Sequence, residues 1–585
     1  MDKEYKKLVL GCQNCKIDFI IEPEDFMFYE KIKVPPPTFC FDCRLQRKLA
    51  FLNERDLFKR NCDKCLKSTV SMYSPESPYK VYCTSCYNGR GDLYEYGTNY
   101  DFSKTFFEQF DELWKKVPRL HLAHKNNNAE GCEYANYIYH GKNVYLSYEV
   151  VYSEDILYSR QVHEGNRNCI DCENIHSNER GYELFDSSKN YNSRFLIRSN
   201  QCVDSVYLFD CNNCTDCFMS YNLRNKSYVF RNKQLTREEY LKNMKDIAFD
   251  SYTMQEKLKK EFFDLSKKAL YRFAMMKNTK DCTGDFIENS KNALYSFSLI
   301  DVENSKYIVF DTNKTRDSYD LLYVGRTELC YELTNAGAGC TNSMFSVDIG
   351  TCYDTKYCVS CNDSKNLFGC VGLKNKQYCI LNKQYTKEEY EKLLPEVIES
   401  MNNLNYTDKR GVVYKYGEFF PFELSPYSYN QSLIYEIFPL SKEEIEKRGY
   451  LWRDEKVKQY IPTIESSKLP DRINDITDDI LEEVISCPNN GKVETKCTLA
   501  YKIMPNELSF YRFMKIPLPR KCPNCRYYER SKWKNPWKLW NRSCMCDKKD
   551  HFHKIDKCEV KFETSYSPDR PEIVYCEKCY QNEVY

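Results

Sequence analysis

Eight cysteines between Cys12 and Cys86 fall into four Cys-x-x-Cys pairs: Cys12/Cys15, Cys40/Cys43, Cys62/Cys65 and Cys83/Cys86. Two intervening residues let a tight backbone turn present both sulfurs of a pair to one ion, and zinc accepts four thiolates at about 2.3 Å. Four pairs therefore predict two closed tetrahedral sites. Their expected role is structural, since catalytic zinc keeps an open position beside His or carboxylate ligands. Disulfides and redox dithiols are the competing chemistry of the same spacing.

The residues around these pairs follow a pattern of their own. After Cys15 come Asp18-Phe19-Ile20, Pro23, Phe28-Tyr29, Pro35-Pro36-Pro37 and then Cys40-Phe41-Asp42-Cys43-Arg44. This resembles the treble-clef-type "probable zinc-binding domain" of bacterial proteins, a zinc-ribbon family whose pattern is Cys-x-x-Cys, Phe-Tyr, Pro, Cys-x-x-Cys-Arg. The resemblance implies a zinc-binding fold in which the second cysteine pair opens a helix, here Arg44 to Arg55. It implies no reaction.

The arrangement returns near the other end of the chain. A shift of 482 positions carries Cys15, Pro23, Phe28, Tyr29, Pro37, Cys40, Cys43, Arg44 and Cys62 onto Cys497, Pro505, Phe510, Tyr511, Pro519, Cys522, Cys525, Arg526 and Cys544. Beyond Cys544 the shift becomes 493, pairing Cys65, Tyr73, Ser74, Pro75, Cys83 and Cys86 with Cys558, Tyr566, Ser567, Pro568, Cys576 and Cys579. The second copy departs from the first in two places. Glu494 stands where the partner of Cys12 belongs, so Cys487 is the nearest replacement ligand, and the insertion after Cys544 carries Cys546, His551 and His553. Either Cys544 or Cys546 completes the last site. About four zinc ions are expected, two at each end.

These ends need elements to hold them. At 585 residues the chain exceeds one hydrophobic core, and 42% hydrophobic with 15% aromatic residues excludes a disordered chain. The expected class is multidomain α+β. The charged start, Met1 to Lys7, does not read as a signal peptide, and no apolar run approaches the roughly 18 residues of a membrane span. Thirty-two cysteines without an export signal point to metal sites and reduced thiols in the cytoplasm.

Between the ends the chain is a tandem duplication. A shift of 150 pairs Cys132 with Cys282, Phe195 with Phe345, Cys202 with Cys352, Tyr207 with Tyr357, Cys211 with Cys361 and Tyr228 with Tyr378. Within each copy a period of twelve recurs at Ser193, Ser205 and Cys217 and at Tyr307, Tyr319 and Tyr331. Identical residues returning at a fixed period predict a β-solenoid with side-chain ladders, whose turn is one such unit or two. An antiparallel sheet of short hairpins is the competing reading. The central pairs Cys169/Cys172, Cys214/Cys217 and Cys358/Cys361 are not duplicated as pairs and are expected to be core residues.

The expected order is two zinc modules over 1–90, a helical connector over 101–131, a solenoid copy over 132–235, helices over 236–281 and a second copy over 282–385. A helical and aromatic connector over 386–486 and two further zinc modules over 487–585 complete it. Thr236 with Glu239, Thr386 with Glu389 and Ser441 with Glu444 are capping boxes, and Leu469-Pro470-Asp471 is expected to open a helix through Ile473, Ile476, Ile480, Leu481 and Val484.

No catalytic motif is found. The histidines (His121, His124, His140, His163, His176, His551, His553) form no His-Glu-x-x-His or deaminase arrangement, and there is no Walker loop, dinucleotide fingerprint or nucleophile elbow. The expected function is a non-enzymatic scaffold with a protein partner. The alternative is nucleic-acid binding through Arg526, Arg530, Lys532, Lys534, Lys538 and Arg542, which alternate with Trp533 and Trp537 as phosphate contacts and base-stacking surfaces would. Against it stands a net charge of only +1.

Overall fold

Parallel pairing between residues twelve apart builds the centre of the protein: Ser205 donates its amide to the Ser193 hydroxyl and Cys217 its amide to that of Ser205, each with a separation of 12. In the same way Gly181 pairs with Ser193, Arg194 with Val206, Val206 with Phe218, Tyr319 with Tyr331 and Gly350 with Asn362. One turn of a β-solenoid is therefore one unit, and the hairpin alternative does not apply. The computed structural model describes residues 6–123, 129–311, 314–337, 339–454, 460–549, 551–553 and 556–585.

The shape of a turn follows from its backbone. From Tyr137 to Glu164 and again from Asn168 to Arg231, the left-handed conformation recurs at every third residue. Each turn is thus a square of three-residue sides. The single step of four, Glu164 to Asn168, coincides with the longer turn that pairs Val162 with Ile175. A left-handed residue costs an L-amino acid about 1–2 kcal/mol, least for Asn and Asp. Those two residues fill many corners and link consecutive turns, as in Asn143 to Asp155 (2.9 Å), Asn174 to Asp186 (2.7 Å) and Asn213 to Asn225 (2.7 Å).

Three-residue sides leave a narrow interior that admits mainly small or slender side chains. Leu184, Leu196 and Leu208 stack there with Ser187, Ser199 and Cys211 beside them, all buried. The Ser199 hydroxyl donates to the Ile197 carbonyl (3.0 Å) and accepts from the Cys211 amide (3.1 Å), and the Cys211 thiol donates to the Phe209 carbonyl (3.4 Å). Serine and cysteine interchange in the ladder because both are small donors that satisfy a carbonyl two residues back. Asn178 and Asn190 ladder likewise onto Cys202.

Large residues point outwards and are covered by other elements. Tyr207 is 1% exposed, stacked on Phe195 at 4.4 Å and edge-on to Phe218 at 6.2 Å, one turn away on either side. Tyr207→Ala is expected to lose about 3–5 kcal/mol by leaving a cavity between these rings. Hydrogen exchange should show lost protection at residues 195 and 218, and unchanged protection would count against a shared ladder.

The first stack spans residues 129–234 and the second 276–384, each beginning a few residues before the expected 132 and 282. The helical connector over 101–131 reduces to Phe106–Lys116, capped by Thr105, because Val117 precedes a proline and leaves helical geometry. Phe106, Phe107, Phe110 and Trp114 bury against Tyr357, Phe368 and Phe420, so the helix seals one side of the second stack. The three capping boxes open Arg237–Lys245, Lys387–Asn403 and Lys442–Lys447. The linking helices end at Ser266, short of Met276, and Leu270–Arg272 is a strand.

The helix expected after Pro470 does not form. Asp471 instead accepts hydrogen bonds from Ser251 and Thr253, capping Tyr252–Ser266 from outside, and residues 473–481 make only the short 3-10 turns Ile473–Asp475 and Asp478–Leu481. Ile473, Ile476 and Ile480 are buried all the same.

Candidate metal centres

Each cysteine module places its first two sulfurs at a hairpin and its second two at a helix N-terminus. Leu8–Gly11 pairs antiparallel with Asp18–Ile21 around Cys12 and Cys15, and Phe58–Asn61 with Ser68–Ser71 around Cys62 and Cys65. The turns close through left-handed Lys16 (φ 64°) and Leu66 (φ 62°), one residue past each pair. Cys40 caps Phe41–Leu49 and Cys83 caps Thr84–Asn88, so Cys43 and Cys86 lie in the first helical turn. The first helix stops before the expected Arg55, because Asn53 turns the chain with bonds to the carbonyls of Asp56 and Met72.

The C-terminal modules repeat this build. Ile485–Ser486 and Ala500–Tyr501 hold Cys487 and Cys497, with Cys522 capping Pro523–Arg530. Trp540–Ser543 and Lys561–Thr564 hold Cys544 and Cys558, with Cys576 capping Glu577–Val584.

Four groups of four sulfurs result: Cys12, Cys15, Cys40 and Cys43; Cys62, Cys65, Cys83 and Cys86; Cys487, Cys497, Cys522 and Cys525; and Cys544, Cys558, Cys576 and Cys579. Within each group all ligand atoms lie within 4.8 Å of one another. Cys15 and Cys40 are 3.7 Å apart, Cys487 and Cys525 3.8 Å, and Cys558 and Cys576 3.9 Å. A tetrahedron with 2.3 Å metal–sulfur bonds has edges of about 3.8 Å, whereas a disulfide needs about 2.05 Å. All 32 cysteines are free thiols. Cys544 rather than Cys546 stands in the last four-sulfur group, and Cys487 stands beside Cys497, Cys522 and Cys525 despite its longer spacing.

One sulfur in each group ionises below its usual range. Hydrogen bonds from Cys40 and Cys43 hold the Cys12 thiol far below its usual range, and those from Cys487 and Cys525 do the same for Cys522. Burial opposes ionisation of Cys62, but the amides of Cys65, Cys83 and Lys64 outweigh it and bring the thiol down to about 6. Cys558 is also lowered, its burial outweighed by the Val560 amide and neighbouring thiols. A helix N-terminus favours such negative charge.

Cys546 falls in a fifth group with His551, His553 and Cys579. Of the other histidines, His121 lies 3.1 Å from Thr69 and 3.0 Å from Thr84, and His163 pairs with Glu149 at 3.3 Å. His124 lies outside the described residues. Among those described, no central cysteine belongs to a group with metal-ligand spacing. Cys169, Cys172, Cys214, Cys217, Cys358 and Cys361 are buried in the solenoid interior.

The modules dock crosswise. Arg44, after Cys43, pairs with Asp320 of the second stack at 2.9 Å, and its duplicate Arg526, after Cys525, pairs with Asp171 of the first at 2.8 Å. Tyr29 packs edge-on to Tyr331 at 5.3 Å, as its duplicate Tyr511 does to Tyr182 at 6.0 Å. The second N-terminal module reaches the first stack through Met72, which accepts from Asn136, and the last module touches both stacks, with Tyr580 and Tyr566 on Asp210 and Arg198 of the first and Ser565 on Asp285 of the second. Val81–Tyr82 adds to Arg119–Leu120, which leads into the first stack, and Ile573–Tyr575 to Leu270–Arg272, which leads into the second. Each cysteine-rich end therefore spans both solenoids.

The basic aromatic segment serves this docking. Arg526 and Arg530 are each 6% exposed, and Arg530 reaches Asp171 at 2.7 Å. Lys534 pairs with buried Glu173. Trp533 packs on Phe263 at 5.9 Å and Phe209 at 6.3 Å, Trp537 on Phe310 at 5.8 Å, and Arg542 donates to the carbonyls of Ser567 and Glu572. Lys532 and Lys538 remain exposed. Sequence reasoning missed the partners of these cations, and their signal was faint: Asp171 and Glu173 are acids in a stretch that otherwise reads as solenoid.

No protein-family model and no curated protein matches this sequence. Among the described residues, no helix is long and apolar enough to cross a membrane.

Proposed function

We propose that the protein is a non-enzymatic scaffold in which structural zinc, held by four-cysteine sites at both ends, clamps two solenoids into one rigid surface for a protein partner. The observation that carries this reading is the crosswise docking: duplicated arginines, each one residue past a ligand cysteine, reach Asp320 and Asp171 on opposite stacks. A helix that begins at a metal ligand and carries a buried ion pair transmits metal binding to the solenoid. Hairpin, tight turn and helix in each module support the treble-clef reading, and four thiolates favour zinc over harder cations. Free thiols throughout fit a reducing, cytoplasmic setting.

Nucleic-acid binding is the weaker reading, since only Lys532 and Lys538 of its residues stay exposed. The full chain is expected to show no affinity for single-stranded nucleic acid at about 50 mM salt. Trp533→Ala should lower stability by about 3 kcal/mol through lost packing. Salt-sensitive binding that Trp533→Ala weakens, by about 1–3 kcal/mol at unchanged stability, would reverse the ranking.

A further inference from the structure

We propose that the last module holds two metal ions bridged by the Cys579 thiolate, giving the chain five ions rather than four. This rests on the metal reading of the four-cysteine sites. Cys579 belongs to two groups at once, with Cys544, Cys558 and Cys576 on one side and with Cys546, His551 and His553 on the other. A thiolate has lone pairs enough for two metals. The insertion after Cys544 supplies all three additional ligands, and the duplicate module at Cys62 has no counterpart of it.

The second group has the dimensions of a site. Cys546 Sγ lies 3.2 Å from His551 Nδ1 and 3.5 Å from His553 Nε2. A tetrahedral ion with bonds of about 2.3 Å to sulfur and 2.0 Å to nitrogen separates such atoms by about 3.5 Å. The sulfurs of Cys546 and Cys579 are fully buried, and His551 is 7% exposed.

The surroundings orient His551 as a ligand. Its Nε2 lies 2.7 Å from Glu583 Oε1, and Glu583 is on Glu577–Val584, the helix that carries Cys579. With the ring proton donated to Glu583, the Nδ1 lone pair turns towards the sulfurs, which is the carboxylate–histidine–metal arrangement of many zinc sites. Charge favours the second ion as well. Four buried thiolates around one dication leave two surplus negative charges, and a fifth thiolate with a second dication leaves one. The ion would be zinc or another thiophilic dication.

Native mass measurement of the zinc-loaded full chain tests this. Five ions are expected in the parent, four in His553→Ala and three in Cys579→Ser. Glu583→Gln should weaken the fifth ion by about 10–100-fold and leave the other four bound. Four ions in the parent, or five in His553→Ala, would overturn the bridged pair while the structural role of the four-cysteine sites stands. A chain that binds none would overturn both. Cobalt substitution gives a second readout if a variant unfolds: a sulfur-bridged pair is magnetically coupled in the parent, and five uncoupled ions would refute the bridge.

Discussion

Stripping metal from the full chain with a strong chelator is expected to unfold all four cysteine modules and to release both ends from the solenoids. A structural zinc site contributes about 10–16 kcal/mol to its module, more than any other single interaction available to hairpins this small. The consequence travels along the helices that the ligands open. Phe41–Leu49 begins at Cys40 and carries Arg44, Arg47 and Lys48 into the second stack, and Pro523–Arg530 begins at Cys522 and carries Arg526 and Arg530 into the first. Hydrogen exchange before and after chelation should show these helices losing protection while interior amides such as those of Ser199 and Cys211 keep theirs. Acid should act in the same direction, since protons compete with metal for the thiolates. Equal protection of residues 41–49 with and without metal would sink the clamp.

Arg47→Leu is expected to cost about 3–5 kcal/mol, the loss that follows when one partner of a buried ion pair is removed. Arg47 is 2% exposed and donates to Glu332 at 2.8 Å and to Glu418 at 3.0 Å, so both carboxylates are left without their main counter-charge. Glu332 comes from the second stack and Glu418 from the aromatic connector, and the guanidinium joins three separate stretches of chain. Burial already pushes the Glu332 carboxyl up, against the opposing pull of Arg47 and Lys48. Without Arg47 it rises further. The unfolded chain then ionises at the ordinary carboxylate value and the folded one above it, so the variant loses stability as pH rises between the two. Denaturant titration of Arg47→Leu and of Arg47→Leu/Glu332→Leu checks this. The double variant should recover part of the loss, and a double variant as unstable as the sum of the two single changes would show that the pair is not coupled.

Much of the site was legible because its ligands are paired locally. A Cys-x-x-Cys turn constrains both sulfurs within one short stretch of chain, and duplication repeats the constraint, so even Cys487 could be assigned across a changed spacing. The twelve-residue period was legible for a related reason: a ladder returns the same environment to every turn, and Ser193, Ser205 and Cys217 occupy one interior position. The three-residue side was harder to see. Its mark is a backbone conformation, and corners filled by Tyr207, Phe195 or Met219 as well as by Asn and Asp carry no single residue type.

Distant contacts decided the remainder. Propensity and periodicity favour a helix after Pro470, but Asp471 is drawn to cap a helix more than two hundred residues earlier in the chain. The segment from Arg526 to Arg542 reads as a cationic aromatic surface until Asp171 and Glu173 are brought against it. Local spacing by itself determined which atoms could bind metal and how often the chain turns, because both are set within a few residues. Which face of each module is buried only the tertiary structure decided, because burial and counter-charge come from residues hundreds of positions away, and it also decided between Cys544 and Cys546, because the Trp540–Ser543 hairpin brings Cys544 to Cys558, Cys576 and Cys579.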